Sequence, residues 1–301
     1  MFQKNDLILL LVIFGSMGLG IGFPEYGIIF LPYPLYLMMF LLFFSFLKIE
    51  FIATLKNMKK TTLILFLLCF LKLIILPAGL FFLAQMVWPK YALPVLLLSG
   101  ISTGVVAPFI SNLLNASSSL VLMMVVISSL LVPFSLPALV SFLAGQYIEI
   151  SFSSMVKTLA MVVFLPAFAV LIARQLIPSF LKKLERLQFP LSLVIFAIIN
   201  LGVFSKYSSF FMENPMELTK ATFLAFLLSA IYHSVGFGVT WGMKREDRLA
   251  GAISFANINN VLIIVFSSQF FGPLSPTLAA MYMLPFFAMI IPARIMGNFF
   301  K

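Results

Sequence analysis

The sequence predicts an all-α polytopic membrane fold of ten transmembrane helices, organised as a five-plus-five inverted repeat with interrupted fourth and ninth helices. Three observations carry that expectation. The 301 residues are 62% hydrophobic and only 9% charged, whereas a soluble domain is about 25% charged. Ten apolar windows near the length of about 20 residues needed to cross a bilayer follow one another with short connections. Finally, the fourth window clusters Gly, Pro and polar residues and the ninth packs three asparagines into four residues, so each looks like an interrupted helix.

The expected spans are approximately 6–23, 28–47, 61–87, 91–114, 119–144, 154–174, 188–204, 221–243, 249–270 and 274–297. No connection is long enough for a soluble domain, so residues 1–301 read as one transporter-like membrane domain. The first repeat covers about 1–148 and the second about 149–301. The first span lacks a small-residue cleavage site followed by a polar region, and is expected to be a retained helix rather than a signal peptide.

The formal net charge of +10 does not point to nucleic acid, because the basic residues cluster in particular loops. With alternating loops, fourteen fall on one side: Lys4, Lys48, Lys56, Lys59, Lys60, Arg174, Lys182, Lys183, Arg186, Lys244, Arg245, Arg248, Arg294 and Lys301. Only Lys90, Lys157, Lys206 and Lys220 fall on the other. The asymmetry places both termini in the cytoplasm of a multi-pass protein of the cell membrane. The stretches 182–186 and 244–248 read as solvated cytoplasmic loops. The single cysteine, Cys69, excludes a disulfide framework and reads as a small packing residue.

The nineteenth basic residue, Lys72, lies deep inside the third span. An ammonium at mid-membrane depth costs roughly 2.5–3.5 kcal/mol on insertion scales, which makes it the first functional candidate. The bland alternatives are snorkelling or a structural pairing with a carbonyl or an acid. No acidic residue lies clearly within a span, so no anionic partner is evident.

An odd number of spans per repeat makes the second half enter the membrane in the opposite sense, which is the geometry of an inverted repeat. Span four contains Gly100, Gly104 and Pro108 with Ser99, Ser102, Thr103, Ser111 and Asn112. Span nine contains Asn257, Asn259 and Asn260 in four residues. Pro108 removes a backbone donor, and asparagine side chains can serve backbone left unpaired. Such irregular backbone is tolerated at membrane depth only where protein buries it or it lines a wet cavity. Two breaks at matching positions point to a substrate site between the halves; packing glycines and interhelical Ser or Asn bonds are the competing explanation.

The chain resembles the bile acid:sodium symporter family, within the wider group of bile acid and arsenite carriers. Ser111-Asn112, Ser128-Ser-Leu-Leu-Val-Pro133, Asn259-Asn260, and Lys72 five residues before Pro77 carry the likeness. The resemblance implies a panel domain and a core domain, with the fourth and ninth helices crossing near the midplane.

Ser111 and Asn112 match the end of the family's Pro-Gly-Gly-x-x-Ser-Asn pattern, whose beginning is occupied here by Val106, Ala107 and Pro108. The pattern Glu-x-Gly-x-Gln-Asn aligns with Phe255, Asn257, Asn259 and Asn260, so the carboxylate is replaced by phenylalanine. The fifth-helix hydroxyls of the sodium-coupled members fall at Val121 and Val125, and the third-helix glutamine falls at Lys72. Four departures converge on the sodium positions, and an ammonium can stand electrostatically where sodium would.

The expected function is alternating-access secondary transport of a small organic anion, sodium-independent with Lys72 replacing a sodium ion. H+ or Na+ remain candidate coupling ions. The alternatives are a sodium-coupled organic anion symporter, an arsenite-type efflux carrier, or a channel. An enzyme is disfavoured by a single histidine and the absence of intramembrane acids, and neither a cofactor nor a metal site is expected. The candidate substrate- or ion-binding residues are Lys72, Thr103, Ser111, Asn112, Asn257, Asn259, Asn260 and His233. His233 could relay protons or contact substrate, although hydrogen-bonded packing is the commoner fate of such a residue.

Overall fold

The computed structural model describes residues 4–47, 49, 62–145, 150–289 and 292. The basic residues Lys48, Lys56, Lys59, Lys60, Arg294 and Lys301, and the end of the tenth expected span, lie outside the described residues. Among the described residues the chain is helical, with one isolated backbone bridge in place of any strand.

Proline punctuates the chain in both halves. The residue before a proline is pushed out of the helical region by contact with the pyrrolidine ring, and four connections are made this way. Phe23 (φ −134°, ψ 66°) separates α1 (Lys4–Gly22) from α2 (Pro24–Gly27), giving a bend of 112°. A 3-10 turn, Ile28–Phe30, leads to α3 (Pro34–Phe46). The expected span 28–47 is therefore shortened to 13 helical residues.

The third span begins as α4 (Thr62–Phe70), opens into a π turn at Leu71–Ile75, and continues as α5 (Leu76–Val87). Pro77 explains the opening. It has no N–H to give the Leu73 carbonyl, and its ring crowds the preceding turn, so the helix widens and Leu76 N–H bonds the Leu71 carbonyl five residues back. Trp88 (φ −145°, ψ 70°), held by Pro89, then turns the chain into α6 (Pro89–Ser99).

The fourth span breaks after Ser99 and resumes as α7 (Ala107–Leu113). Pro108 stands in the first turn of α7, where a missing N–H costs nothing, so it starts the second half-helix rather than kinking a continuous one. Asn115, with φ of 52°, turns α7 into α8 (Ser118–Leu139), which ends in a second π turn, Val140–Ala144.

The second half consists of α9 (Phe152–Leu176), α10 (Pro178–Ser205), the short α11 (Ser208–Glu213) and α12 (Met216–Val239). Ile177 before Pro178 and Asn214 before Pro215 supply the remaining X-Pro turns. The ninth span is again two helices, α13 (Arg245–Ala256) and α14 (Asn260–Phe270), and the chain closes with α15 (Leu274–Met281) and α16 (Met283–Ala288).

One expectation fails here. Residues 182–186 and 245–248 are helical, in the first turns of α10 and α13, rather than loops. In α10, Leu181 is buried and Leu184 half-buried, so an apolar stripe continues through the charged stretch and holds it in helix.

Among the described residues, five helices are long and apolar enough to cross a membrane, and six when the bent pair at Phe23 counts as one span. The remaining expected spans are the short α3, the two broken pairs, and the α15–α16 pair. The helices α1, α3, α9 and α10 pack on one another, while α5, α6, α12, α13 and α15 form a second packed group. In that second group α12 and α13 come into backbone contact at Gly236 and Gly251. A Cβ on either would come within 2.5 Å of the other's carbonyl oxygen, so only glycine permits this contact.

Candidate functional site

The two breaks meet. Gly104 N–H donates to the Asn257 carbonyl (2.7 Å) and Asn259 N–H to the Ser102 carbonyl (3.0 Å), forming an antiparallel bridge between Thr103 and Ile258. The orphan backbone groups of four half-helix ends are thus partly satisfied by each other. Gly104 is required, since a Cβ there would sit 2.6 Å from the Ile258 oxygen and 3.0 Å from its carbonyl carbon.

Side chains complete the crossing. Thr103 N–H donates to Ser128 Oγ of α8 (3.0 Å), and Thr103 Oγ1 donates to the Ser254 carbonyl (2.7 Å). Asn259 is the N-cap of α14, its Oδ1 accepting from Leu262 N–H at 3.2 Å. Asn260 Nδ2 points to Met283 Sδ at 3.2 Å, and its Oδ1 is buried without a hydrogen-bond partner. Asn257 is buried at the C-terminal end of α13.

Lys72 reaches this crossing from the π turn. Its side chain is 1% exposed, and Nζ donates to the Phe255 carbonyl at 3.2 Å while lying 5.7 Å from the centroid of the same residue's ring. No acidic side chain pairs with it among the described residues. The carbonyl end of α13 takes that place. A hydrogen bond from a charged donor contributes about 1.5–3 kcal/mol, and a cation at a helix C-terminus gains roughly 0.3–2 kcal/mol. Together these offset an insertion cost of about 2.5–3.5 kcal/mol.

The structure therefore brings together Lys72, Thr103, Asn257, Asn259 and, one residue beyond, Asn260. It does not bring Ser111 and Asn112 to them. Ser111 Oγ, with one proton to give, lies within hydrogen-bond distance of both the Pro108 carbonyl (2.7 Å) and Ser118 Oγ (2.8 Å), and Ser118 Oγ donates to Asn112 Oδ1 (2.5 Å). Ser118 opens α8 ten residues before Ser128, which is about 15 Å along a helix at 1.5 Å per residue. Asn112 is exposed, and the adjacent Ser117 N–H bonds the Glu246 carbonyl (2.9 Å) at the start of α13. The Ser-Asn pair thus belongs to the end of the bundle where α7 stops and α13 begins.

His233 is also apart. Its Nδ1 lies 2.8 Å from the Ser229 carbonyl one turn back, so that nitrogen carries the proton and donates within α12, as a packing histidine does. Cys69 packs against Met124 at 3.7 Å. Residues 100–104 spell Gly-Ile-Ser-Thr-Gly, formally a Gly-x-Ser-x-Gly sequence. However, Ser102 sits between two half-helices rather than on a strand-to-helix turn, and among the described residues its Oγ has no hydrogen-bond partner to act as base.

Two groups at the crossing escape a reading of the sequence. Ser128 was visible only as part of a motif, and its role depends on which face of α8 meets Thr103. Tyr282, whose hydroxyl donates to the Ala256 carbonyl at 2.8 Å, carries no signal at all: a tyrosine in an apolar stretch is ordinary.

These features define a multi-pass helical membrane protein built around two interrupted helices that cross and pair at their breaks. A family model described as Sodium Bile acid symporter family matches residues 35–214, well over half of the chain, and the chain belongs to that family. Its members are transporters, so the resemblance read from the sequence is borne out. The matched range includes Lys72, Thr103, Ser111 and Asn112, and the candidates on α12, α13 and α14 lie beyond it. No curated protein matches the chain.

Proposed function

We propose that this protein is a sodium-independent secondary carrier of a small organic anion, in which the Lys72 ammonium replaces a sodium ion. The observation that carries the reading is the bond from Lys72 Nζ to the Phe255 carbonyl, which places a fixed cation at the end of a broken helix where unwound carbonyls coordinate ions in carriers of this type. Val121 and Val125, both fully buried on α8, supply no oxygen. A cationic centre without an acid partner favours an anionic solute.

In this reading the fold is a ten-helix, five-plus-five inverted repeat, with α6–α7 and α13–α14 as its fourth and ninth elements. The antiparallel bridge between their breaks supports that assignment. The protein lies in the cell membrane with both termini cytoplasmic, in keeping with its asymmetric basic loops. A lysine that released and rebound its proton during the cycle would couple transport to H+; one that stayed charged would give uniport or exchange.

Family membership favours a second reading, a sodium-coupled organic anion symporter, and one experiment separates the two. Purified protein and the Lys72→Gln variant are titrated with NaCl against KCl at constant ionic strength, with thermal stability and organic-acid binding as readouts. Ligand binding stabilises by mass action. Indifference of the unsubstituted chain to sodium, with loss of organic-acid stabilisation in Lys72→Gln, is the expected result. A saturable stabilisation of the unsubstituted chain by sodium over potassium would establish the symporter instead.

A further inference from the structure

The last three carbonyls of α13 are each taken by a side chain from a different element. Ser254 O accepts from Thr103 Oγ1 at 2.7 Å, Phe255 O from Lys72 Nζ at 3.2 Å, and Ala256 O from Tyr282 Oη at 2.8 Å beside the Ile258 N–H at 3.0 Å, which leaves the tyrosine on its second lone pair. Helix C-termini normally leave such carbonyls to water, a cap or a bound cation. Here side chains from three separate segments, the π turn of the third span, the break of the fourth and the break between α15 and α16, converge to occupy them.

Tyr282 is placed for this by its local sequence. It stands at the one-residue break between α15 and α16, where Pro285 cannot donate to the Met281 carbonyl. Its ring is fully buried and lies 5.8 Å from that of Tyr232 on α12, which fixes the direction of the hydroxyl. A phenylalanine would keep the ring's packing and lose only the hydroxyl's bond to the Ala256 carbonyl.

We propose that Tyr282 is a second internal donor at this site: its hydroxyl occupies the Ala256 carbonyl as Lys72 occupies that of Phe255, and the two together close the end of α13 to an alkali cation. Tyr282 is a positioning residue, acting on the carbonyl that an ion would otherwise use. The inference rests on the reading of Lys72 as the built-in cation. It adds that removing the lysine alone does not reopen the site.

The test compares Lys72→Gln with Lys72→Gln/Tyr282→Phe, using thermal shift in NaCl against KCl at fixed ionic strength. Sodium that must displace the tyrosine bond pays for one hydrogen bond, so removing the hydroxyl is expected to tighten sodium binding about three- to tenfold. A merely structural tyrosine would lower stability equally in both salts. A second pair, Lys72→Gln/Phe255→Glu with and without Tyr282→Phe, supplies a carboxylate and measures the same ratio where sodium binds more strongly. Tighter sodium binding on loss of the hydroxyl in either pair supports the proposal. Equal sodium response with and without Tyr282 in both pairs overturns it. The reading of Lys72 fails separately, by a sodium-specific shift in the unsubstituted chain.

Discussion

Replacing Gly104 by alanine perturbs the crossing at its tightest point. The added Cβ would lie 2.6 Å from the Ile258 oxygen, 3.0 Å from the Ile258 carbonyl carbon and 3.2 Å from the Asn257 oxygen. The first distance falls roughly 0.7 Å short of an ordinary carbon–oxygen approach. All three obstacles are backbone, so no side chain can swing aside, and the breaks must separate. That separation strains the two bonds of the bridge, Gly104 N–H to Asn257 O and Asn259 N–H to Ser102 O. Each buried group left unpaired costs about 1–3 kcal/mol, so the expected destabilisation is about 2–5 kcal/mol. The assay is thermal unfolding in detergent or nanodiscs beside Gly79→Ala, a helical position where a Cβ meets nothing within 4 Å and alanine is neutral or stabilising by about 0.5–1 kcal/mol. Equal melting temperatures for the two variants would refute the argument that backbone contact at the crossing demands glycine.

Two further predictions concern groups away from the crossing. Glu217 is buried between Lys90 (3.1 Å), Lys220 (3.2 Å) and the Tyr91 hydroxyl (2.8 Å), tying the start of α12 to the start of α6. Because the lysine side chains are 54% and 43% exposed, Glu217→Gln should cost no more than about 1 kcal/mol, with the difference shrinking in high salt. Glu217→Leu should cost more, since it leaves the Tyr91 hydroxyl only the residue's backbone carbonyl at 3.4 Å, and unfolding series at two ionic strengths check both. His233→Gln should leave the pH profile of transport unchanged, because the imidazole bonds only its own helix among the described residues; a displaced profile would assign it to proton movement.

Legibility of the fold and site divided along physical lines. Lys72 and the two breaks could be read from the sequence because a buried ammonium and clustered Gly, Pro and Asn conflict with an apolar helix in any context. The positions of Ser111 and Asn112 could not, because motif order says nothing of depth: α7, which begins at Ala107, carries the pair away from the crossing to the end of the bundle. The charged stretch at 182–186 was mistaken for a loop because charge density outweighed the apolar spacing of Leu181 and Leu184, which only packing makes decisive. Tyr282 was invisible since its part depends on a contact 26 residues away in sequence.

The partner of Lys72 lies 183 residues further along the chain. At a synthesis rate of roughly 5–20 residues per second, about 10–40 s pass between the two positions emerging from the ribosome. Throughout that interval the third span holds a lysine whose native acceptor does not yet exist. Until α13 supplies that carbonyl, the apolar length of the span alone has to offset the insertion cost of about 2.5–3.5 kcal/mol that the ammonium carries.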